Sequence, residues 1–252
     1  MISPLVLFGF GYGMPSIGYM LCVMLPSFIL SSGAAWLVKS RFNYYSKVPS
    51  TKGYTGEAAA QKLLDYANIT DVEVVRVDGM LTDHYNPITK KLALSSAVFD
   101  RTSVAAIGVA THEAGHAIQH ATGYYPLRWR SMIVPVANIG TRFGTYGMMI
   151  GAGIAAGGSV FGQWVFIIGA GLFSLFLLFQ LITLPVEFNA SARAKTLVVE
   201  AGIVGHQERE GIDKVLNAAA MTYVAAFVTS LITLLYFLHK SGLLNNNRRN
   251  DR

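Results

Sequence analysis

The sequence predicts a mainly α, multi-pass membrane protein, in which about four transmembrane helices carry a small α+β domain at the membrane surface. The 252 residues are 52% hydrophobic and 13% charged, whereas an ordinary soluble domain carries about 25% charged residues. The mean hydropathy is +0.42. Long apolar runs lie before and after a polar stretch at 40–131. We therefore expect membrane helices on both sides of one domain at the membrane surface.

The first apolar run covers residues 16–38 and contains no charged side chain. A helix of this length crosses a hydrocarbon core of about 30 Å, and Pro26 is tolerated there. The run lacks the basic start of a signal peptide, so we expect it to be retained. Lys39 and Arg41 follow the run directly, and no Lys or Arg precedes it. The positive-inside rule therefore predicts an outer N-terminus and a cytoplasmic domain after the run.

The polar stretch predicts a helix, a small sheet and then a second helix. Thr55 opens the first helix, which is expected to end near Tyr66. Segments rich in strand-forming residues follow at 72–77, 81–85 and 91–95. Small and apolar residues then favour a helix between 102 and 123, where no proline occurs.

The second helix carries the motif H-E-x-x-H at His112, Glu113 and His116. Residues four apart lie one turn apart on the same helix face, so the two imidazoles can hold one Zn²⁺ ion at about 2.0–2.1 Å. Glu113 lies beside the open position of the metal, where a carboxylate can take a proton from water and pass it to the leaving amine. The competing interpretation is a buried helix whose histidines bond to backbone carbonyl groups.

A catalytic zinc site needs a third protein ligand. His120 continues the same face, but three ligands at i, i+4 and i+8 of a straight helix cannot meet one ion. The longer motif with a further glycine and histidine fails, because Ile118 and Thr122 occupy those positions. We therefore expect a downstream glutamate, and Glu187 is preferred because it is the first charged residue after a long apolar helix. The alternatives are Glu200, Glu208 and Glu210.

Further membrane spans are predicted after the motif. Residues 161–186 and 216–239 form strong spans. A weaker span is predicted at about 143–159, with 132–142 at the interface, because Arg142 would be costly at mid-bilayer. Glycines in this region allow close helix packing, and they are Gly144, Gly147, Gly151, Gly153, Gly157 and Gly158.

These spans divide the chain into segments. They are an N-terminal transmembrane helix (1–39), a cytoplasmic zincin-like domain (40–131), two transmembrane helices (132–186), a cytoplasmic segment with the third zinc ligand (187–215), a transmembrane helix (216–240) and a polar tail (241–252). With four spans the basic tail is expected outside, which conflicts with the positive-inside rule. The two stretches that flank the motif agree with the rule, and they contain more Lys and Arg than the tail.

Substrate binding and transition-state stabilisation are assigned to further residues. A strand before the zinc helix commonly pairs with an extended substrate, although an ordinary internal hairpin explains the same pattern. The candidates for this pairing are Leu92, Ala93, Leu94 and Ser95. A zinc peptidase also needs a donor for the negative charge that develops on the carbonyl oxygen. The candidates for this role, or for orienting a ligand, are His84, Tyr85, Tyr124, Tyr125 and Arg193.

Several segments carry a resemblance to one family. They are V-K-S-R-F-N at 38–43, L-T-D-H-Y-N-P at 81–87, V-A-T-H-E-A-G-H-A-I-Q-H at 109–120, V-P-V-A-N-I-G at 134–140, L-P-V-E-F-N-A-S at 184–191 and V-L-N-A-A-A at 215–220. In these segments the chain resembles the bacterial YugP-type neutral zinc metallopeptidases, which are multi-pass membrane proteins. The family usually has Asp where this chain has Asn189. Glu187 and Ala190 also match the E-x-x-A-D motif of another class of membrane-bound zinc peptidases, with Ser191 in place of the Asp.

The sequence thus predicts a zinc metalloendopeptidase of the cell membrane with one Zn²⁺ per chain in a gluzincin-like site on the cytoplasmic side. We expect protein or peptide substrates, membrane proteins included. One alternative is a non-catalytic zinc-binding membrane scaffold, against which Glu113 argues because a structural site needs no general base. Another is a site-2-type intramembrane protease, which needs a downstream Asp-Gly motif, whereas Asp78-Gly79 lies upstream. The net charge is +6, but no basic patch interleaved with aromatic residues occurs, so nucleic acid is not an expected partner.

Overall fold

A computed structural model of the chain describes residues 17–241 and shows a mainly helical protein with one small sheet. The helices are α1 (Ile17–Tyr45), α2 (Gly56–Tyr66), α3 (Val104–Ala121), α4 (125–156), α5 (Val160–Glu200) and α6 (His206–Lys240). The strands are β1 (Glu73–Val77), β2 (His84–Asn86) and β3 (Lys91–Ser95). Two helices contain π-helical segments, which are Met20–Met24 in α1 and Gly140–Gly144 in α4.

Three of these helices, α1, α5 and α6, are long and apolar enough to cross a membrane. The predicted span at about 143–159 is not among them. Its apolar residues lie in Thr145–Ala156, a helical part of 12 residues, and the π-helical segment before it contains the exposed Arg142. The expected start of the first span at Ser16 and the expected polar tail after residue 241 lie outside the described residues.

The helix α4 packs backbone to backbone along α5. A Cβ atom at Gly147 would lie 2.8 Å from Gly169 Cα, and one at Gly151 would lie 2.3 Å from Phe166 N. Gly144 lies on the same face, so the predicted role of these three glycines in close packing is confirmed. Gly153 instead faces open space. Because α4 and α5 are antiparallel neighbours joined by a short turn, the start of α4 lies beside the later turns of α5.

The helices α2 and α3 and the sheet share one core with parts of the long helices α5 and α6. Thr55 and Ser103 cap α2 and α3, where their hydroxyl groups accept the Ala58 N–H at 3.1 Å and the Ala106 N–H at 3.2 Å. The buried side chains come from both helices, from the sheet, from α5 and from α6, and they include Leu63, Leu64, Leu92, Ile107, Val198 and Ile212. The boundaries drawn from the sequence after residues 131, 186 and 215 accordingly fall inside α4, α5 and α6.

The sheet has the order β1-β3-β2, with β1 parallel and β2 antiparallel to the central strand β3. The second strand was predicted at 81–85 but begins at His84. Leu81 has a φ of 55° and Gly79 a φ of 108°, and these left-handed conformations form a turn where the strand was expected.

The sheet order contradicts the predicted pairing of Leu92, Ala93, Leu94 and Ser95 with a substrate. Along one side, β1 pairs with the whole of β3. On the other side β2 pairs with residues 91–93, and the Asp83 carboxylate accepts the Ser95 N–H at 2.7 Å. Because both edges of β3 are occupied, these residues form an internal strand, which was the competing interpretation.

Candidate metal centre

Helices α3 and α5 bring His112, His116 and Glu187 together, with one ligand atom of each within 4.8 Å of the others. His112 Nε2 lies 3.3 Å and His116 Nε2 lies 3.5 Å from Glu187 Oε2. Two atoms bound to one zinc ion at about 2.0–2.1 Å with tetrahedral geometry lie about 3.4 Å apart. The donor types and their spacing therefore fit one Zn²⁺ ion with a fourth position left for water or substrate.

The alternative glutamates lie elsewhere. Glu208 accepts hydrogen bonds from the backbone N–H and the hydroxyl of Thr51, at 2.9 and 2.8 Å. Glu210 pairs with Lys214 at 2.6 Å on the same helix, and Glu200 is exposed. Among residues 17–241, Glu187 is thus the glutamate that joins the two histidines.

Each histidine is oriented through its second ring nitrogen. His112 Nδ1 lies 3.1 Å from Ser191 Oγ, and His116 Nδ1 lies 3.0 Å from Gln119 Oε1. With a hydrogen on each Nδ1, both imidazoles donate to these oxygens and turn Nε2 towards Glu187. Such partners fix the tautomer and orientation of a ligand histidine. Ser191 therefore occupies the orienting place that a carboxylate holds in the E-x-x-A-D motif.

Gln119 also ties the motif helix to α5. Its side chain is fully buried, and its amide donates to the Val186 carbonyl at 2.8 Å and to Asn189 Oδ1 at 3.0 Å. Arg193 Nε donates to the same Asn189 oxygen at 2.9 Å. The sequence reasoning missed Gln119, although its position three residues after His116 places it on the same helix face.

Arg130 of α4 is the charged partner of Glu187. Its guanidinium donates to Glu187 Oε1 at 2.9 Å, while Oε2 of the same carboxylate faces the histidines. Glu187 is only 2% exposed, and a buried carboxylate is costly unless it is paired and hydrogen-bonded. No sequence motif marks Arg130, and it reaches the site because the start of α4 lies beside the later turns of α5.

Charge at the site acts on His116. Burial alone lowers the pKa of this imidazole, but the hydrogen bond to Glu187 and the negative charges of Glu113 and Glu187 outweigh it, so the pKa is raised overall. Zinc binding at His116 therefore competes with a proton.

A cavity of about 180 Å³ adjoins these ligands. Glu113, 9% exposed, lines it together with His112 and Glu187. The other walls come from α1, from α6 and from the turn before β2, where Asp83 lies. Burial raises the pKa of the Asp83 carboxyl group, although its hydrogen bonds from Ser95 act in the opposite direction. A reacting group can thus approach the metal ligands and the predicted general base together.

The predicted transition-state donors do not line this cavity. The Tyr85 hydroxyl lies 2.8 Å from His120 Nδ1, and His84 Nδ1 lies 2.8 Å from the Thr82 carbonyl oxygen. Tyr124 donates to the Pro185 carbonyl at 3.4 Å, and Tyr125 is 73% exposed. Arg193 takes part only through its bond to Asn189. A different tyrosine, Tyr223 of α6, lines the cavity, and it was missed because it lies within an apolar run without a motif.

Comparison with known proteins identifies a family to which the chain is similar. The profile of a family described as "Putative neutral zinc metallopeptidase" matches residues 20–241. The chain belongs to this family. One relative, from Bacillus subtilis (strain 168), is described as "Putative membrane protease YugP" and is 45% identical over 211 residues, which cover 83% of this chain and 90% of the relative. No solved structure matches the chain. Family membership confirms the resemblance found in the sequence, and the matched range contains all three candidate ligands and Glu113.

Proposed function

We propose that this member of the zinc metallopeptidase family is a membrane-embedded endopeptidase that hydrolyses peptide bonds of protein or peptide substrates. The convergence of His112, His116 and Glu187 beside a cavity that Glu113 also lines carries this proposal. A purely structural zinc site would have four protein ligands and no open side. Here three ligands, one carboxylate outside the ligand set and an adjoining cavity support a catalytic site.

The chemistry follows from the positions of these side chains. Zinc held there would polarise the scissile carbonyl group and lower the pKa of a water molecule to about 7. Glu113 takes a proton from the attacking water while the water oxygen bonds to the carbonyl carbon. The carbon–nitrogen bond then breaks, and Glu113 returns the proton to the leaving amine. One water is consumed, and the products are a carboxyl group and an amine.

The edge strand β2 supports a binding mode for the substrate main chain. Within residues 17–241 the sheet order is β1-β3-β2, so this strand has a neighbour on one side only. Leu81 and Asp83, just before it, line the cavity. An extended peptide that adds to the sheet at this edge would pass beside Glu113. The edge at 81–86 thus replaces β3 as the candidate substrate strand.

The length of α5 supports a site at the membrane surface. The turn at 157–159 and Glu187 are 28 residues apart, which corresponds to about 42 Å along a helix, while the hydrocarbon core is about 30 Å thick. We propose that α4 accompanies α5 as a fourth crossing, and that the site lies on the cytoplasmic side of the cell membrane, as the charges after the first span indicate. The helix α3, which carries the motif, is not one of the three candidate spans between residues 17 and 241, which disfavours an intramembrane site of the site-2 type.

A comparison of wild type with Glu113→Gln tests this function. Both proteins should contain one zinc ion per chain by elemental analysis, because Glu113 is not a ligand. Cleavage of casein or a fluorogenic peptide should fall by a factor of roughly 10²–10⁴ in the variant. Equal cleavage by the two proteins would exclude Glu113 as the base. A zinc-loaded wild type without any cleavage would favour the non-catalytic scaffold.

A further inference from the structure

We infer that Tyr223 supplies the hydroxyl group that stabilises the negative charge on the scissile carbonyl oxygen in the transition state. The inference rests on the proposed peptidase function and assigns the donor that this chemistry requires. It replaces the donors expected from the sequence, which the fold places outside the cavity.

The position of Tyr223 carries the inference. Its side chain lines the same cavity as His112, Glu113 and Glu187. Its hydroxyl donates a hydrogen bond to the Glu187 carboxylate and lies close enough to Glu113 and Arg130 for electrostatic interaction with both. A group in this place shares the cavity with the candidate metal ligands and with the predicted general base.

The other polar groups of the cavity are unsuited to this role. Asp83, Glu113 and Glu187 are carboxyl groups, which in ionised form repel a developing negative charge. The Ser191 hydroxyl is engaged with His112 Nδ1 at 3.1 Å. Among the described residues that line the cavity, Tyr223 is therefore the hydroxyl donor whose partner is the Glu187 carboxylate and not a ring nitrogen of a candidate ligand histidine.

Helix geometry explains why a tyrosine of α6 reaches the site. Ile212 of α6 packs against Gly108 of α3, where a Cβ atom would lie 3.4 Å from the Ile212 side chain. Tyr223 is 11 residues further on, which is close to three full turns, so both side chains lie on one face of α6. Leu216 and Ala220 lie near this face and also line the cavity. The contact between α3 and α6 thus determines which face of α6 is turned towards the cavity, and Tyr223 lies on this face.

The test is Tyr223→Phe, with Tyr236→Phe as the matched control on the same helix. Tyr236 packs edge-on against Tyr19, with a ring separation of 5.2 Å, away from the cavity. For Tyr223→Phe we expect one zinc per chain, little change in KM and a fall in kcat by a factor of roughly 10²–10³. Affinity for a tetrahedral phosphonate analogue should fall by a similar factor, while affinity for a product-like peptide stays the same. Tyr236→Phe should match wild type in every measurement.

Three outcomes would overturn the assignment. An unchanged kcat in Tyr223→Phe would show that the hydroxyl is not needed. Loss of zinc in proportion to the loss of activity, or equal weakening of phosphonate and product, would indicate a structural role. If wild type cleaves no substrate, the proposed peptidase function is wrong, and Tyr223 has no such role. This outcome is distinguishable from the other two, because Tyr236→Phe is then inactive as well.

A different observation leads us to infer that the cavity selects an apolar side chain next to the scissile bond. Its apolar lining comes from three helices and includes Val38, Phe42, Val109, Leu216, Ala219 and Ala220. Its volume of about 180 Å³ is below the roughly 300–1,000 Å³ of small-molecule sites, and it suits one side chain. The small residues Ala219 and Ala220 leave this space open, so a larger residue there should reduce it.

Cleavage of a peptide library by wild type and Ala219→Phe tests this selectivity. Ala219 is half-buried, and Ala219→Val provides a milder change if the larger one prevents folding. Wild type should enrich apolar residues at one position beside the cleaved bond by roughly tenfold or more. Both variants should retain zinc and shift that preference towards Ala and Gly. Cleavage by wild type without apolar enrichment, or an identical profile in folded variants, would overturn the inference and leave the peptidase function intact.

Discussion

Gly115 of α3 lies against the main chain of Ala190 in α5, where a Cβ atom on residue 115 would stand 2.7 Å from the Ala190 carbonyl oxygen. This is closer than real Cβ contacts, so the approach of the two helices depends on glycine at this position. Gly115 directly precedes His116 in the motif, and Ala190 lies three residues after Glu187. The second variable residue of H-E-x-x-H, Gly115, thus affects how closely the three candidate ligands meet.

Gly115→Ala should therefore separate α3 from α5. We expect a loss of about 1–3 kcal/mol of stability, as for overpacking elsewhere, and at least tenfold weaker zinc binding. Gly108→Ala on the same helix is the matched control, because its Cβ would lie 3.4 Å from a side-chain atom of Ile212, which can shift. Thermal unfolding and chelator competition measure the two effects. Equal behaviour of both variants would show that the close approach does not matter.

Ser191→Ala should weaken zinc binding without removing a ligand. The change deprives His112 Nδ1 of its partner at 3.1 Å, and loss of such a partner typically costs 10–100-fold in metal affinity. Ser174→Ala on the same helix serves as the control, because its hydroxyl donates to the Ala170 carbonyl of its own helix, at 2.7 Å. Competition with a calibrated chelator gives the affinities. If the two serine variants bind zinc equally well, Ser191 does not orient His112.

Asp83→Asn should stabilise the protein at neutral pH. Burial raises the pKa of Asp83 in the folded state, so its ionisation costs stability as the pH rises through that pKa. Below the unfolded value of about 3.9 the carboxyl group is protonated in both states and the cost vanishes. The variant keeps an acceptor for the Ser95 N–H and a donor for its hydroxyl. We expect a higher Tm than wild type at pH 7 and an equal one near pH 3.5.

These unfolding experiments are best made in a His112→Ala background, so that zinc binding does not add its own pH dependence. A difference in Tm that persists near pH 3.5 would point to altered packing. A lower Tm at pH 7 would show that the ionised carboxylate stabilises the fold.

Accessibility to an impermeant thiol reagent in intact cells tests the membrane orientation. The variants are Gln61→Cys in α2 and Gly157→Cys in the turn between α4 and α5, each in a Cys22→Ser background. Both positions are exposed. We expect labelling at residue 157 and protection at residue 61 until the cells are opened. The reverse pattern would place the metal centre outside the cell.

The parts of the fold that depend on local chemistry could be predicted from the sequence. Small and apolar residues and the absence of proline predict the motif helix, and the spacing of His112 and His116 defines one helix face. Glu187 could be selected because it is the first charged residue after a long apolar helix, where a carboxylate is expected to be solvated or to face a positive charge. These inferences need only helix geometry and the cost of burying charge.

Relationships between distant segments could not be predicted in this way. Arg130 lies 57 residues before Glu187 in sequence, and its role depends on how α4 packs on α5. Nothing in the local sequence distinguishes Tyr223 from other tyrosines in apolar helices, and its place in the cavity depends on how α6 packs on α3. The substrate strand was misplaced because the strand-forming residues at 91–95 do not reveal that β3 has neighbours on both sides. Strand order is a property of the whole domain and leaves no local signal.

Zinc stoichiometry in Glu187→Ala tests the central claim most directly, with Glu200→Ala as the control. Glu187 Oε2 is the third candidate ligand atom, 3.3 Å from His112 Nε2 and 3.5 Å from His116 Nε2, whereas Glu200 is exposed at the end of the same helix. Elemental analysis of the purified proteins should find one zinc per chain in wild type and in Glu200→Ala. Glu187→Ala should contain almost none. A full complement of zinc in Glu187→Ala would contradict the His112, His116 and Glu187 site.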